Sequence, residues 1–370
     1  MNELINTQRD TRNSRWQLLA TVSSLVLLTS VSGAAAQETG DAGRPLVWIE
    51  LGGQLSRIDG GEEPYMPPFT GKMIAAGFPS PVVTERPPRY AVGGEGRISF
   101  EPIGSDWKFS AAIRYGRSNG DKRFHQSKNI TTQYLGYSKS GQRYADVKSH
   151  HNETHTVIDF QVGKDVGLGI LGSNGTSVFS LGVRIAQLTS KARSKVDANP
   201  DFAFDMVYFT GYGSLPLFSH HNAYRGLSES ERSFRGVGPS LTWDASARLA
   251  QMDSGDAITL DWGINVAALF GRQKSRIHHE TIGYYVKQEW TYALSTPIRT
   301  THDYDRTRSI VIPNIGGFAG LSYRFTNAKF SVGYRADIFF NAMDGGQATR
   351  DTRNRSFHGP FATISIGLGG

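Results

Sequence analysis

A two-residue alternation of apolar and polar side chains restricts the fold more than any other feature of this sequence. Ten segments carry it, and most of them run for about 10–13 residues. Strands of globular proteins usually have about 5–6 residues, whereas a tilted strand needs about 9–11 to cross a membrane. The pattern predicts an all-β protein whose strands each have one apolar and one polar face. The segments are Leu46–Ser56, Tyr90–Glu101, Trp107–Tyr115, Thr154–Val166, Val178–Leu188, Phe234–Leu249, Ile258–Phe270, Ile310–Phe325, Ala328–Phe340 and His358–Leu368.

The connections between these segments alternate in length. Short turns at one end and long loops at the other are typical of an outer-membrane barrel, whose closure leaves no strand edge in lipid. We therefore predict a transmembrane antiparallel up-and-down β-barrel of about ten strands, with short periplasmic turns and long extracellular loops. The long connections are 57–89, 118–153, 189–233, 271–309 and 341–356, and the short ones are 102–106, 167–177, 250–257 and 326–327.

The sequence determines the number of strands less closely than it determines the all-β fold. Three of the long connections contain further β-like runs, Thr131–Tyr137, Phe202–Thr210 and Tyr284–Ala293. These runs would either extend the barrel beyond the membrane or add hairpins, which would give roughly twelve strands or more.

Composition excludes several other classes of protein. Only 38% of the residues are hydrophobic, which is too few for a bundle of membrane-spanning helices. Aromatic residues make up 11%, which is too many for a disordered chain. The absence of cysteine rules out disulfides, thiolate metal sites and a cysteine nucleophile. The net charge of +7 is spread along the chain and is not clustered as in a nucleic-acid-binding surface, so we expect no nucleic-acid partner.

The first residues are typical of a secretory signal. Arg9, Arg12 and Arg15 precede an apolar stretch at 16–31, and three alanines end at Ala36. We predict a signal peptide at 1–36, a short periplasmic segment at 37–45 and the outer-membrane barrel at 46–370.

The polar faces of the segments carry six acidic and six basic side chains, which we expect to line the lumen. They would either conduct solutes, with the charges setting ion preference, or close the lumen as a salt-bridged plug. Ten strands alone do not decide between these two alternatives. The residues are Glu50, Glu95, Asp159, Asp244, Asp261 and Asp337, with Arg97, Arg114, Arg184, Arg248, Arg324 and Arg335.

Histidines cluster at His150–His155 and Ile277–Glu280, but their spacing matches no defined metal site, so we expect neither a metal nor another cofactor. Ser309, His302 and Asp303 lie near one rim, as in a barrel hydrolase. No nucleophile-elbow or zinc-protease motif accompanies them, and we expect no enzymatic activity.

Three segments carry a resemblance to a known family. They are VIDFQVGKDVGLG at 157–169, FRGVGPSLTWDAS at 234–246 and FHGPFATISIGLG at 357–369. They resemble the pore-forming outer-membrane proteins typified by the Legionella major outer membrane protein. The resemblance extends from about residue 150 to the C-terminus and implies a porin barrel of the Gram-negative outer membrane.

The expected function is therefore an outer-membrane pore for passive diffusion of small hydrophilic solutes or ions. A non-conducting structural or adhesive barrel that acts through its surface loops is the alternative, and an outer-membrane hydrolase is a weaker one. The expected partners are outer-membrane lipid and lipopolysaccharide, the barrel-assembly machinery during biogenesis, and small solutes. The sequence leaves the oligomeric state open.

Overall fold

The computed structural model describes most of the chain from residue 46 onward. Residues 1–45 lie outside the described part, so the signal peptide and the short periplasmic segment stay predictions. No helix among the described residues is long and apolar enough to span a membrane. The described residues are 46–60, 63–65, 82–85, 90–103, 105–134, 137–166, 175–199, 203–206, 217–252, 255–288, 293–345 and 352–369.

Every regular element among the described residues is a strand. They are β1 (Val47–Asp59), β2 (Glu63–Tyr65), β3 (Val82–Glu85), β4 (Tyr90–Phe100), β5 (Trp107–Tyr134), β6 (Tyr137–Asp165), β7 (Gly175–Asn199), β8 (Ala203–Met206), β9 (Leu217–Gln251), β10 (Ala257–Gln288), β11 (Ala293–Arg324), β12 (Ala328–Asp344) and β13 (Thr352–Leu368).

Ten of these strands form a closed antiparallel ring. The order is β1, β4, β5, β6, β7, β9, β10, β11, β12 and β13, and β13 pairs again with β1, where Ser365 lies opposite Glu50. Each ring strand contains or overlaps one of the ten segments with alternating side chains. The predicted ten-stranded, all-β barrel is therefore confirmed. The short strands β2, β3 and β8 lie outside the ring.

Six of the ring strands are much longer than a membrane crossing requires. β5, β6, β7, β9, β10 and β11 have 28, 29, 25, 35, 32 and 32 residues, whereas about 9–11 suffice to cross. The long connections predicted between them are thus largely continuous hairpins, in which β-pairing extends beyond the membrane. We call the described residues of 117–154, 187–235 and 272–309 the crown.

A belt of apolar side chains covers the outer surface of the ring below the crown. These side chains occupy every second position and remain exposed, as expected where lipid replaces water. Phe179 and Trp243 stack on neighbouring strands with ring centroids 5.8 Å apart. Exposed members of the belt include Leu51, Leu55, Val92, Ile98, Phe109, Phe160, Leu181, Val183, Val237, Leu241, Ile264, Phe270, Val311, Ile315, Phe330, Val332, Ile364 and Ile366.

The ends of the strands opposite the crown are joined by short connections. Between β9 and β10, Gly255 has a φ of +88°, a conformation that costs glycine little and other residues more. The N–H of Leu46 donates to the carbonyl of Gly369 over 2.7 Å, so the two described ends of the barrel meet on this same side.

Candidate functional site: the barrel lumen

The lumen opens on the side of the short turns into a polar cavity of about 470 Å³, which we call the vestibule. Glu50 accepts a hydrogen bond from Ser365 over 3.0 Å, and Arg97 lies opposite Glu50 on the neighbouring strand. Lys329 lies 2.6 Å from Asp261. The vestibule therefore presents both signs of charge to a solute. Its charged lining includes Glu50, Arg97, Lys108, Asp244, Asp261, Arg324 and Lys329.

Above the vestibule, a layer of paired charges crosses the lumen. Arg184 is almost fully buried and binds both carboxylate oxygens of Asp159, over 2.6 and 3.1 Å. Its remaining guanidinium nitrogen donates to Asn265 over 2.5 Å and also to Asn314. An arginine fork on one carboxylate fixes geometry as well as charge. We call this group, with the pairs described next, the charge layer.

Two further ion pairs complete the charge layer. Arg114 donates to Asp337 over 2.5 Å, and Arg335 donates to Glu95. The Arg335 guanidinium also lies 4.7 Å from the ring centroid of Phe361, close enough for a cation–π contact. A gap of about 30 Å³ remains among these side chains, which has room for a few waters at most.

Toward the crown, an apolar layer fills the lumen. Phe339 and Phe357 meet edge to face with ring centroids 6.2 Å apart. Leu188, Phe234, Leu269, Ile312 and Phe339 all have 0% exposure, so water does not reach these side chains. The apolar layer consists of Leu188, Phe234, Leu269, Ile312, Phe339 and Phe357, on six different strands.

The structure brings together eleven of the twelve charged residues predicted from the sequence. Glu95, Arg114, Asp159, Arg184, Arg335 and Asp337 form the charge layer, while Glu50, Arg97, Asp244, Asp261 and Arg324 line the vestibule. Arg248 does not join them, because its side chain is exposed and donates to Gln251 over 3.0 Å. Arg248 lies opposite the buried Thr259 of β10, on the inward face near the end of β9, and the shift in pairing between Ile258 and Thr259 comes after it in β9.

The sequence interpretation missed the apolar layer. Its members break the expected alternation, because apolar side chains here occupy positions that are polar elsewhere in the same strand. Leu188, for example, lies on the inward face of its strand together with Arg184, whereas Val183 and Ile185 lie on the outward face. Phe339 likewise lies on the inward face of its strand, as Asp337 does. Such a change of residue type near the loop end of several strands was the available signal.

The histidines of the two clusters contact different partners. Among the described residues, no group of three or more histidine and carboxylate side chains is close enough to hold a metal ion. His155 packs against Phe357 with ring centroids 4.0 Å apart, while the inward-facing Asp159 binds Arg184. His278 contacts Asp303 over 2.6 Å on the outer surface.

The rim residues considered for a hydrolase are also separated. Asp303 and Ser309 are six residues apart on β11, which corresponds to about 20 Å along a strand. His302 lies opposite His279 on β10. The structure therefore does not assemble these three side chains into a catalytic group.

Acid is expected to loosen the crown through His279. Burial lowers the pKa of His279 to about 4, whereas an unfolded histidine takes its proton near pH 6.5. Between these values the unfolded crown binds more protons than the folded one, so its stability falls as pH decreases, by up to about 1.4 kcal/mol per pH unit. Hydrogen exchange of β9 to β11, corrected for intrinsic rates between pH 7 and pH 4, measures this effect.

The variant His279→Gln separates this effect from that of the neighbouring His278. The hydrogen bond to Asp303 raises the pKa of His278, so that contact stabilises fully at low pH and is lost as pH rises through the raised value. We expect His279→Gln to remove most of the acid loosening. Equal pH dependence of the variant and the native chain would contradict this assignment.

The fold and lumen together define the chain as a transmembrane β-barrel. A family model described as the Legionella pneumophila major outer membrane protein precursor matches residues 100–367. The chain belongs to this family and is an outer-membrane protein. The resemblance inferred from the three sequence segments is confirmed, and the match begins in β4, well before the first of those segments.

Comparison with solved structures returns outer-membrane proteins at low similarity. A TodX deltaS2S3 mutant, described as a monoaromatic hydrocarbon channel, is 10% identical with a TM-score of 0.23, and the match covers 88% of this chain and 91% of that one. The AIDA-I transport unit of Escherichia coli is 8% identical with a TM-score of 0.21, over 95% and 97%. The NalP translocator domain of Neisseria meningitidis is 11% identical with a TM-score of 0.21, over 97% and 96%. No curated protein matches the chain.

Proposed function

We propose that the protein is a narrow, gated outer-membrane pore for small hydrophilic solutes or ions. The observation that carries the proposal is the charged vestibule of about 470 Å³, which leads directly to the charge layer and then to the apolar layer. The vestibule has the size and polarity of a solute-entry chamber. Passive diffusion through the whole lumen requires the apolar layer to move aside. The proposal assigns no catalytic step to the barrel.

The chemistry of the two layers explains how such a pore would be gated. Hydrophobic constrictions block ions by excluding water, even where the charged sites beside them attract ions. Phe339 and Phe357 therefore oppose conduction more strongly than the paired charges below them. Because the vestibule and charge layer contain acids and bases together, we expect little preference between small cations and anions once the apolar layer opens.

Planar-bilayer recording with the full-length mature chain tests the proposal. We expect brief, small conductance steps separated by long closed periods, because the closed packing has to rearrange before water enters. Parallel measurements of protein folded in the same lipid show whether the inserted barrels are intact. Continuously open, large conductance would contradict gating, and complete silence of folded barrels under all voltages would contradict the pore.

The crown supports a second candidate, a structural or adhesive barrel. β9 has 35 residues, several times the length needed to cross the membrane, and paired neighbours extend with it. Much of the total strand length therefore lies in the crown, on the extracellular side. If native and lumen-widened barrels are both silent, the crown becomes the functional part of the molecule.

A further inference from the structure

Two neighbouring rows of the crown have balanced charges on their outer surface. In these rows, acidic and basic side chains on β7, β9, β10 and β11 alternate across the strands, so that each base has an acidic neighbour. The pairs are Lys191 with Glu231 at 2.5 Å, Arg193 with Glu229 at 2.9 Å, Arg276 with Asp305 at 3.3 Å, and His278 with Asp303 at 2.6 Å.

Two further rows of directly opposite residues, those nearest the apolar belt, lack this balance. Arg235 on β9 lies directly opposite Arg272 on β10, and Lys274 lies two residues further along the same face of β10. All three side chains are exposed, and within the part of the chain that the structure describes none of them forms an ion pair. We call these three residues the basic cluster. Their cross-strand neighbours on this face are uncharged: Gln187, Thr189, Ser233, Thr307 and Ser309.

Placing two arginines directly opposite each other has a cost. Their Cβ atoms in such a pair are about 4.5–5.5 Å apart, and like charges at that separation destabilise the sheet. The rows immediately above avoid this repulsion by pairing every base with an acid. An anion between Arg235 and Arg272 would remove the repulsion. Guanidinium groups bind phosphate through paired hydrogen bonds, and the neighbouring hydroxyl groups supply further donors.

The position of the basic cluster indicates where the anion comes from. Val237, Phe270 and Val311 belong to the apolar belt and are exposed. Arg235 and Arg272 lie on the same face, each two residues further toward the crown, which is about 7 Å along a strand. The basic cluster is therefore at the level where lipid headgroups meet the hydrocarbon on the extracellular side.

We propose that Arg235, Arg272 and Lys274 bind a phosphate group of an outer-leaflet glycolipid, the lipid A part of lipopolysaccharide. The acyl chains of that lipid would lie against the apolar belt at Val237 and Phe270, and its phosphate would be held by the two arginines. This site lies on the outer surface of the barrel and is independent of any conduction through the lumen.

Native mass spectrometry of the folded full-length mature chain in detergent micelles tests the site. The probes are bisphosphorylated lipid A, the same lipid without phosphates, and inorganic phosphate. We expect the phosphorylated lipid to bind, and the variant Arg235→Gln/Arg272→Gln to weaken that binding about tenfold or more, since an arginine fork contributes at least one charged hydrogen bond. The dephosphorylated lipid should bind both proteins equally weakly.

Arg117→Gln is the matched control, because Arg117 is an exposed arginine that follows the belt residue Tyr115 by two positions and faces the uncharged Val92 and Thr154. It should leave the affinity for phosphorylated lipid A nearly unchanged, whereas Arg272→Gln alone lowers it. Equal losses from Arg117→Gln and Arg272→Gln would overturn the site in favour of general charge attraction. Equal binding of the dephosphorylated lipid, or competition by inorganic phosphate at equal concentration, would overturn the assignment to a lipid phosphate.

Discussion

The double variant Phe234→Ala/Phe339→Ala is expected to convert the closed barrel into a steadily conducting one. Both rings are fully buried in the apolar layer, and their removal leaves space between the charge layer and the buried polar side chains of the crown, such as Gln273 and Ser275. We expect the time-averaged conductance in planar bilayers to rise about tenfold or more, because a constriction wide enough to stay wet no longer excludes ions.

Phe270→Ala is the matched control for this experiment. Phe270 is the same residue type at a similar level, but its side chain is 56% exposed and faces lipid. It should leave conductance unchanged. Each buried phenylalanine replaced by alanine is also expected to cost about 3–5 kcal/mol of stability, so the single variants Phe234→Ala and Phe339→Ala are recorded beside the double one. A folded double variant that stays closed would contradict the assignment of the apolar layer as the gate.

The sequence predicted the membrane-spanning part of the fold closely, for a physical reason. Each strand faces lipid on one side and a polar lumen on the other, so apolar and polar residues have to alternate along it. This two-residue alternation is visible directly in segments such as Ile258–Phe270. The strand order followed from the alternation of short and long connections. Both features are local along the chain, and neither needs knowledge of which side chains meet across the lumen.

The crown and the packing inside the lumen were harder to predict from the sequence. Beyond the membrane both strand faces meet water or protein, so the apolar signal fades although pairing continues, as at Arg276 opposite Asp305. The partners within the lumen are far apart in sequence: Arg335 binds Glu95, 240 residues away. The sequence placed both residues in the lumen, but only the curvature and stagger of the closed ring determine that they meet.

Arg184→Met is expected to destabilise the barrel by about 3–5 kcal/mol, the usual effect of removing one partner of a buried ion pair. Arg184 is 2% exposed and makes bonds to Asp159, Asn265 and Asn314. Without it, the Asp159 carboxylate stays buried, with Arg114 at 3.7 Å as its remaining ion-pair partner among the described residues. Urea unfolding of the barrel in detergent micelles, followed by tryptophan fluorescence, measures the change in the free energy of unfolding.

The double variant Arg184→Met/Asp159→Leu separates the buried charge from lost packing. Replacing both partners by apolar side chains of similar volume removes the unpaired carboxylate, so we expect the double variant to be clearly more stable than Arg184→Met alone. Arg248→Met, at the exposed arginine near the end of β9, should change the unfolding free energy by less than about 0.5 kcal/mol. If Arg184→Met proved as harmless as Arg248→Met, the charge layer would not be a stabilising part of the lumen. If the double variant were no more stable than Arg184→Met, the loss would come from packing and not from the unpaired charge.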